Sequence, residues 1–401
     1  MHRRIASMVA LVVALCTLAT AHAAGPERAL AEAYVAGGGF ESLGRIITPG
    51  FRLAGDPRLY LATEHAVLAA TPEGAVERAA VTSWITSARL DTWADVVLSI
   101  PPPVAAPDLL LDGGIAAHYR AVGEAEAQRR WGEPRSLPRN YGPFVSQRFE
   151  RAVLQRWTGA AADGPPDGTI TEVHMGRVLG DLGLLPTTPM ARLPAGVRGG
   201  DILTSRPNDR GEVAVTFDMG SIDDGLGGVL EALRARDLQA TFFVTAAFLL
   251  YYPRALESIR AGGHEIAHHS DTHPDLRDLD GAALRREIDL LEAYLAAQGV
   301  SGTAWFRPPF GAYDRRIQSF LSGRGYPLVM WRLDLADWRA EISAADVISI
   351  GRRIRSGDIV VTHGGLPKTA QAIGTVLDEL RVRGLKQVTL RRLYTDPAPS
   401  G

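Results

Sequence analysis

The sequence predicts an α/β protein in two parts: a smaller, strand-rich region, then a run of alternating strands and helices after residue 200. Three observations carry this. Apolar, β-branched runs recur, among them "EVAVTFD", "ATFFVTA" and "DIVVTH". Between them, apolar residues fall at helical spacing. The reactive residue types gather where those runs end. Strands alternating with amphipathic helices imply parallel pairing with helical crossovers. About seven such units fit after residue 200, and a barrel or near-barrel would bring their C-terminal ends to one mouth.

The elements follow in order. The 401 residues allow two or three domains. Hydrophobic content of 46% and charged content of 22% are ordinary for a soluble globular chain. A formal net charge of −2 gives no electrostatic grip on nucleic acid. Residues 1–23 open with His2, Arg3 and Arg4, continue with an apolar stretch from Met8 to Leu18, and close on Ala21-His22-Ala23. That pattern is a secretory signal cut after Ala23. An N-terminal anchor is the alternative, but the apolar core is shorter than the ~20 residues of a span. The single cysteine, Cys16, lies inside this segment, and Leu15 before it argues against lipid attachment. A mature chain without cysteine draws its stability from its cores, although export would permit disulfides. No other apolar run is long enough to span a membrane. The expected location is therefore outside the cytoplasm: periplasmic, wall-associated or secreted.

Residues 24–186 read as one domain with an internal echo. "AYVAGGGFESLGRIIT" followed by "TEHAVL" matches "HYRAVGEAEAQRRWGEPRS" followed by "FERAVL". Gly44 and Thr48 pair with Gly132 and Ser136. Glu64, Ala66, Val67 and Leu68 pair with Glu150, Ala152, Val153 and Leu154. The pattern faintly resembles the LGFP-type repeats of bacterial cell-wall proteins. Two readings stand, a wall- or glycan-docking module and a structural cap on the next domain. Residues 187–200, "TTPMARLPAGVRGG", read as a linker.

Residues 201–396 form the second domain. "EVAVTFD" is a strand, and Leu226, Val229, Leu230 and Leu233 mark one face of the helix after it. Leu284, Ile288, Leu291 and Leu295 mark another helix, as do Ile373, Val376, Leu377 and Leu380. Asp218 ends the first strand, Arg307 ends "AWFR", Asp334 and Asp337 follow "VMWRL", and His363 ends "DIVVTH". A lone strand-end aspartate is usually a turn or helix cap. Several reactive residues on one side of an alternating pattern are not.

Four of the ten histidines fall within ten residues: His264, His268, His269 and His273. Imidazole is the commonest side-chain metal ligand, and a turn could bring His269 and His273 onto one ion. His264 and His268 have structural roles open to them, and exposed loop histidines are the bland reading of the other two. A third, carboxylate ligand would leave an open position for water on a zinc-like ion. Asp218 and His363 are then the natural base and acid.

Five motifs stand in order here: "TFDMG", "HSDTH", "RPPFG", "DLADW" and "VVTHG". Residues 213–394 thereby resemble the polysaccharide deacetylase family, the NodB-homology domain of carbohydrate esterase family 4. The resemblance implies a distorted (β/α)7 barrel. It also implies metal-dependent hydrolysis of N-acetyl groups from N-acetylglucosamine-type units. It casts Asp218 as the base, His269 and His273 as metal ligands and Arg307 as the partner that keeps Asp218 ionised. His363 becomes the acid, oriented by Asp337, with Asp334 as second choice. Phe310 stands where the family has tyrosine and keeps the backbone N–H of the oxyanion site. Trp338 and Trp305 either wall the acetyl pocket or pack in the core.

Two departures mark this chain. The family's third metal ligand, the second aspartate of its first motif, is here Met219, and a thioether is a poor zinc ligand beside imidazoles. Asp224 is the expected substitute, Asp223 a weaker one, unless Asp224 merely caps the following helix. Gly364 and Gly365 follow His363 where the family often has an acidic residue. The expectation is an exported metal-dependent deacetylase of an envelope or extracellular polysaccharide (peptidoglycan, chitin-like or exopolysaccharide), with one divalent ion, most simply Zn²⁺. A metal amidohydrolase on another amide, or a sugar-binding protein that has lost catalysis, are the rivals.

Overall fold

The computed structural model describes residues 25–104, 112–159, 161, 164–186, 191–220 and 222–395. The expected signal segment 1–23, with Cys16, and the first four residues of the expected linker lie outside them. Among the described residues no helix is long and apolar enough to cross a membrane. The chain divides into two compact units. One holds the chain up to Met190 together with Ala293–Ser301, and the other holds Ala191–Glu292 and the chain from Gly302 onward.

The first unit carries two small antiparallel sheets. Strands β1 (Leu59–Ala62), β2 (Val67–Ala70) and β3 (Val76–Arg78) form one. Strands β4 (Arg139–Asn140), β5 (Phe144–Arg148), β6 (Val153–Trp157) and β7 (Ile170–Glu172) form the other. The positions paired in the sequence carry matching contacts. Tyr34 donates its hydroxyl to the Gly44 carbonyl at 2.9 Å, and Tyr119 donates to the Gly132 carbonyl at 3.1 Å. Both glycines are left-handed, with φ of 75° and 73°, a conformation that costs a residue without Cβ little. Thr48 Oγ1 accepts from the Ala62 N–H, and Ser136 Oγ accepts from the Arg148 N–H. The Glu64 and Glu150 N–H groups donate to the carbonyls of Arg45 and Glu133.

The second unit is built on a parallel sheet. Its continuous path runs β11 (Glu265–His268), β10 (Thr241–Val244), β9 (Glu212–Met219), β14 (Ile359–His363), β13 (Leu333–Asp334). Strand β15 (Lys386–Gln387) also pairs with β9, and β8 (Ile202–Leu203) pairs with β12 (Leu328–Val329). All eight residues of β9 are buried, as a strand covered on both faces requires. Between β11 and β12 the chain pairs only through single bridges, from Phe306 to His268 and to Leu328. Pro308 and Pro309 follow Arg307, and without N–H groups they cannot extend that ladder.

The helices pack on this sheet through their apolar stripes. Leu226–Arg234 buries Leu226, Val229 and Leu233. Pro367–Val382, begun by a proline in its first turn, buries Ile373, Val376, Leu377 and Leu380. Leu193 and Val197, within the expected linker, pack into the core cluster around Trp305 and Leu390. That part of the chain belongs to the second unit. Trp305 is fully buried, packs at a tilt against Tyr394 and donates Nε1–H to Glu265 at 2.7 Å. Its indole lies inside the core cluster with Leu390, Leu393 and Tyr394. It is a core residue and not a pocket wall.

Candidate active site

Parallel pairing of β9 with β14 sets Asp218 opposite His363, and pairing with β10 sets Asp218 opposite Phe243. Both strands end here, so a carboxylate and an imidazole share one end of the sheet. Asp218 is 6% exposed, and Arg307 is fully buried. Arg307 Nη1 donates to Asp218 Oδ1 at 2.6 Å, and Nε donates to the Val329 carbonyl at 3.1 Å. The guanidinium also lies over the Phe243 ring, 4.0 Å from its centroid. Burial opposes a charge on Asp218. The charges of Arg307, His269 and His363, with the Arg307 hydrogen bond, outweigh it and hold the carboxyl below the usual carboxylate range.

Arg307 also fixes a histidine. Its carbonyl lies 2.7 Å from His269 Nδ1, so that nitrogen carries the proton and Nε2 presents a lone pair. Nε2 sits 3.7 Å from Asp218 Oδ2. The His273 ring lies 4.8 Å from the His269 ring, and Phe310 packs edge-on against His273 at 4.6 Å. Burial keeps both imidazoles neutral, His273 with its pKa lowered to about 3. The turn between them is tight. Ser270 and His273 are left-handed at φ 73° and 65°. Ser270 Oγ accepts the His273 N–H. Glu287, on the helix Gly281–Ala297, accepts the N–H groups of Asp271 and Thr272 and the Thr272 hydroxyl.

On the other side, Asp337 is fully buried and faces His363, with Oδ1 2.8 Å from Nδ1. Burial would lower the His363 pKa. The hydrogen bond to Asp337 and the charges of Asp337, Asp218 and Asp334 raise it above the ordinary imidazole value. Asp334 is otherwise engaged, accepting the Ala336 N–H and the Trp338 Nε1–H. Trp338 and Phe310 are 56% and 68% exposed, so both can meet a ligand in solvent. Phe310 is left-handed at φ 60°.

The first motif's aspartates sit elsewhere. Met219 is fully buried. Asp224 is exposed and Asp223 half-buried, and the charges of both act on Tyr252. Asp224 does not cap the next helix: the N-cap is Gly225, and no side chain caps it. Among the described residues no three His, Cys, Asp or Glu side chains converge closely enough to hold a metal ion. His269 and His273, neutral and close together, fit two positions of a borderline divalent ion, and the third is not gathered here.

Residues 205–329 match the polysaccharide deacetylase family model. The matched stretch holds Asp218, His269, His273 and Arg307, while Asp337 and His363 lie beyond its end. Deacetylases also stand among the curated relatives. A peptidoglycan-N-acetylglucosamine deacetylase of Listeria monocytogenes is 26% identical over 209 residues, 52% of this chain and 44% of that protein. A chitooligosaccharide deacetylase of Rhizobium leguminosarum bv. phaseoli is 29% identical over 212 residues, 49% of this chain and 91% of that protein. The chain thus spans less than half the length of the Listeria relative. Among solved structures, the chitin deacetylase of Colletotrichum lindemuthianum aligns with a TM-score of 0.46 at 25% identity, over 51% of this chain and 96% of that one.

Proposed function

We propose that the second unit, read as a distorted (β/α)7 barrel, removes N-acetyl groups from N-acetylglucosamine-type units of an envelope or extracellular polysaccharide. The observation that carries this is the register of β9 and β14, which sets an ionised carboxylate opposite a carboxylate-backed imidazole. Asp218, held charged by Arg307, takes a proton from the attacking water. The water oxygen bonds to the acetyl carbon, and the Phe310 backbone N–H is the donor assigned to the resulting oxyanion. His363, charged and backed by Asp337, gives its proton to the amine as the carbon–nitrogen bond breaks. Acetate and a free amino sugar result. His269 and His273 would hold a divalent ion, most simply Zn²⁺, whose contribution is to polarise the carbonyl and acidify water. Asp224 is the proposed third ligand, which requires its carboxylate to leave the exposed position it holds here. Trp338 and Phe310 supply faces for the sugar.

Acetate release from N-acetylglucosamine oligomers, with chelator and Zn²⁺ add-back, tests this. Chelator-sensitive release supports it, and no release under any metal overturns it. The exposed Asp224 and buried Met219 favour one second reading, a sugar-binding protein without turnover. Oligomer binding without acetate release would select it. The matched contacts of the first unit support reading it as two copies of one motif, with glycan docking as its proposed role and an exported chain as its setting. Sedimentation of the full chain with insoluble peptidoglycan or chitin checks that role.

A further inference from the structure

The carboxylate behind His363 has more partners than aiming an imidazole requires. Asp337 Oδ1 faces His363 Nδ1, and Oδ2 accepts three further hydrogens. They come from the His363 N–H at 2.7 Å, the Thr362 hydroxyl at 2.5 Å and the Thr369 hydroxyl at 2.5 Å. Thr362 lies on β14 beside His363, and Thr369 lies in the first turn of the helix Pro367–Val382. Asp337, Thr362 and Thr369 are all fully buried. An ionised carboxylate has about two lone-pair positions on each oxygen; three donors share Oδ2, and His363 Nδ1 faces Oδ1.

We propose that Thr362 and Thr369 are positioning residues of the acid: their hydroxyls hold the Asp337 carboxylate in one orientation and share its charge, so that it grips the His363 proton less tightly than an unshared carboxylate would. The role rests on reading His363 as the acid that protonates the leaving amine. An acid held too tightly gives up its proton slowly, and one held too loosely loses it before the amine leaves. Lys368, beside Thr369, donates to the carbonyls of Arg339 and Ile342 at 2.7 Å each. One helical turn thus holds the loop carrying Asp337 at several points, so loss of one hydroxyl leaves the loop tethered. The other charged or titratable groups acting on His363 are Asp218 on β9, Asp334 on β13, and His269 and His273 after β11. The threonine substitutions leave all of them in place.

The test is the titration of His363 in the full chain with ring-labelled histidine, followed by NMR and assigned with His363→Gln. Thr362→Val and Thr369→Val should each raise the His363 midpoint by about half a pH unit or more. Each should lower kcat/KM about tenfold and move its alkaline limb upward. Thr369→Ser, which keeps the hydroxyl, should titrate like the parent. A midpoint that stays in place or falls in either folded Val variant overturns the proposal. Either folded Val variant decides alone, and Thr362→Ala and Thr369→Ala replace them if neither folds. The NMR titration needs no substrate, so failure of sugar deacetylation would count against the proposed reaction and leave this result standing.

Discussion

Met219 and Gly364 fit each other: a Cβ built on Gly364 would lie 2.6 Å from Met219 Sδ. Both residues depart from the deacetylase motifs, and they meet in one place. Gly364 also donates its N–H to the Asp218 carbonyl at 3.2 Å, so the contact joins the residues that follow Asp218 and His363. Gly364→Ala should therefore destabilise the second unit by about 1–3 kcal/mol. Met219→Ala in the same chain should recover part of that loss. A double-mutant cycle on the second unit's urea transition reads the coupling, and strictly additive losses would contradict it.

The Asp218–Arg307 pair is buried, so removing either charge strands the other. Arg307→Met leaves a carboxylate without its cation and should cost about 3–5 kcal/mol. Asp218→Asn keeps the volume and the hydrogen-bonding oxygen. It leaves the buried Arg307 cation unpaired, so it too should destabilise the second unit by about 3–5 kcal/mol, while acetate release falls by about 10²–10⁴-fold. Unfolding curves and turnover on the two variants check both.

The pH dependence has a definite sign. In the proposed reaction His363 works protonated, and its pKa is raised above the ordinary 6.5. Turnover should hold through pH 6.5 and fall only as pH rises through the raised value. Asp337→Asn should move that limb downward. The same raised value makes the pair a stabilising contact below the unfolded pKa, and that contribution is lost as pH rises through the folded one. A kcat/KM profile and a stability profile on parent and Asp337→Asn check both.

Metal affinity should depend on residues beyond the two imidazoles. Glu287→Ala strands two N–H groups of the turn between His269 and His273, at about 1–3 kcal/mol for each left unsatisfied. It should weaken Zn²⁺ binding about 10–100-fold. Asp224→Ala should weaken it comparably if that carboxylate is the third ligand, and leave it unchanged if it is not. Calorimetric Zn²⁺ titration of the full chain measures both.

The strand–helix alternation was legible because burial on both faces of a parallel sheet writes itself as apolar runs. The ends of those runs pointed to Asp218, Arg307 and His363. The supporting residues left a fainter mark. Glu287 lies three residues after Leu284 and one before Ile288, a carboxylate on a helix's apolar stripe. Thr369 sits four before Ile373 on another, and Thr362 is a hydroxyl in a fully buried strand. Each is a polar group where the pattern demands an apolar one, which signals a buried partner without naming it. That partner is far off in sequence and comes only with the fold. Trp305 was ambiguous for the converse reason: an indole near a strand end suits a pocket or a core, and only its complete burial beside Leu390 and Tyr394 decides.

Lys368 is one of only two lysines in the chain, the other being the exposed Lys386. Its amine is engaged by two carbonyls of the loop that presents Trp338. Amine-directed reagents thus meet two side chains of contrasting reactivity. Modification at Lys386 supplies an internal clock, and the lag at Lys368 becomes a chemical gauge of how firmly the rim of the site is held.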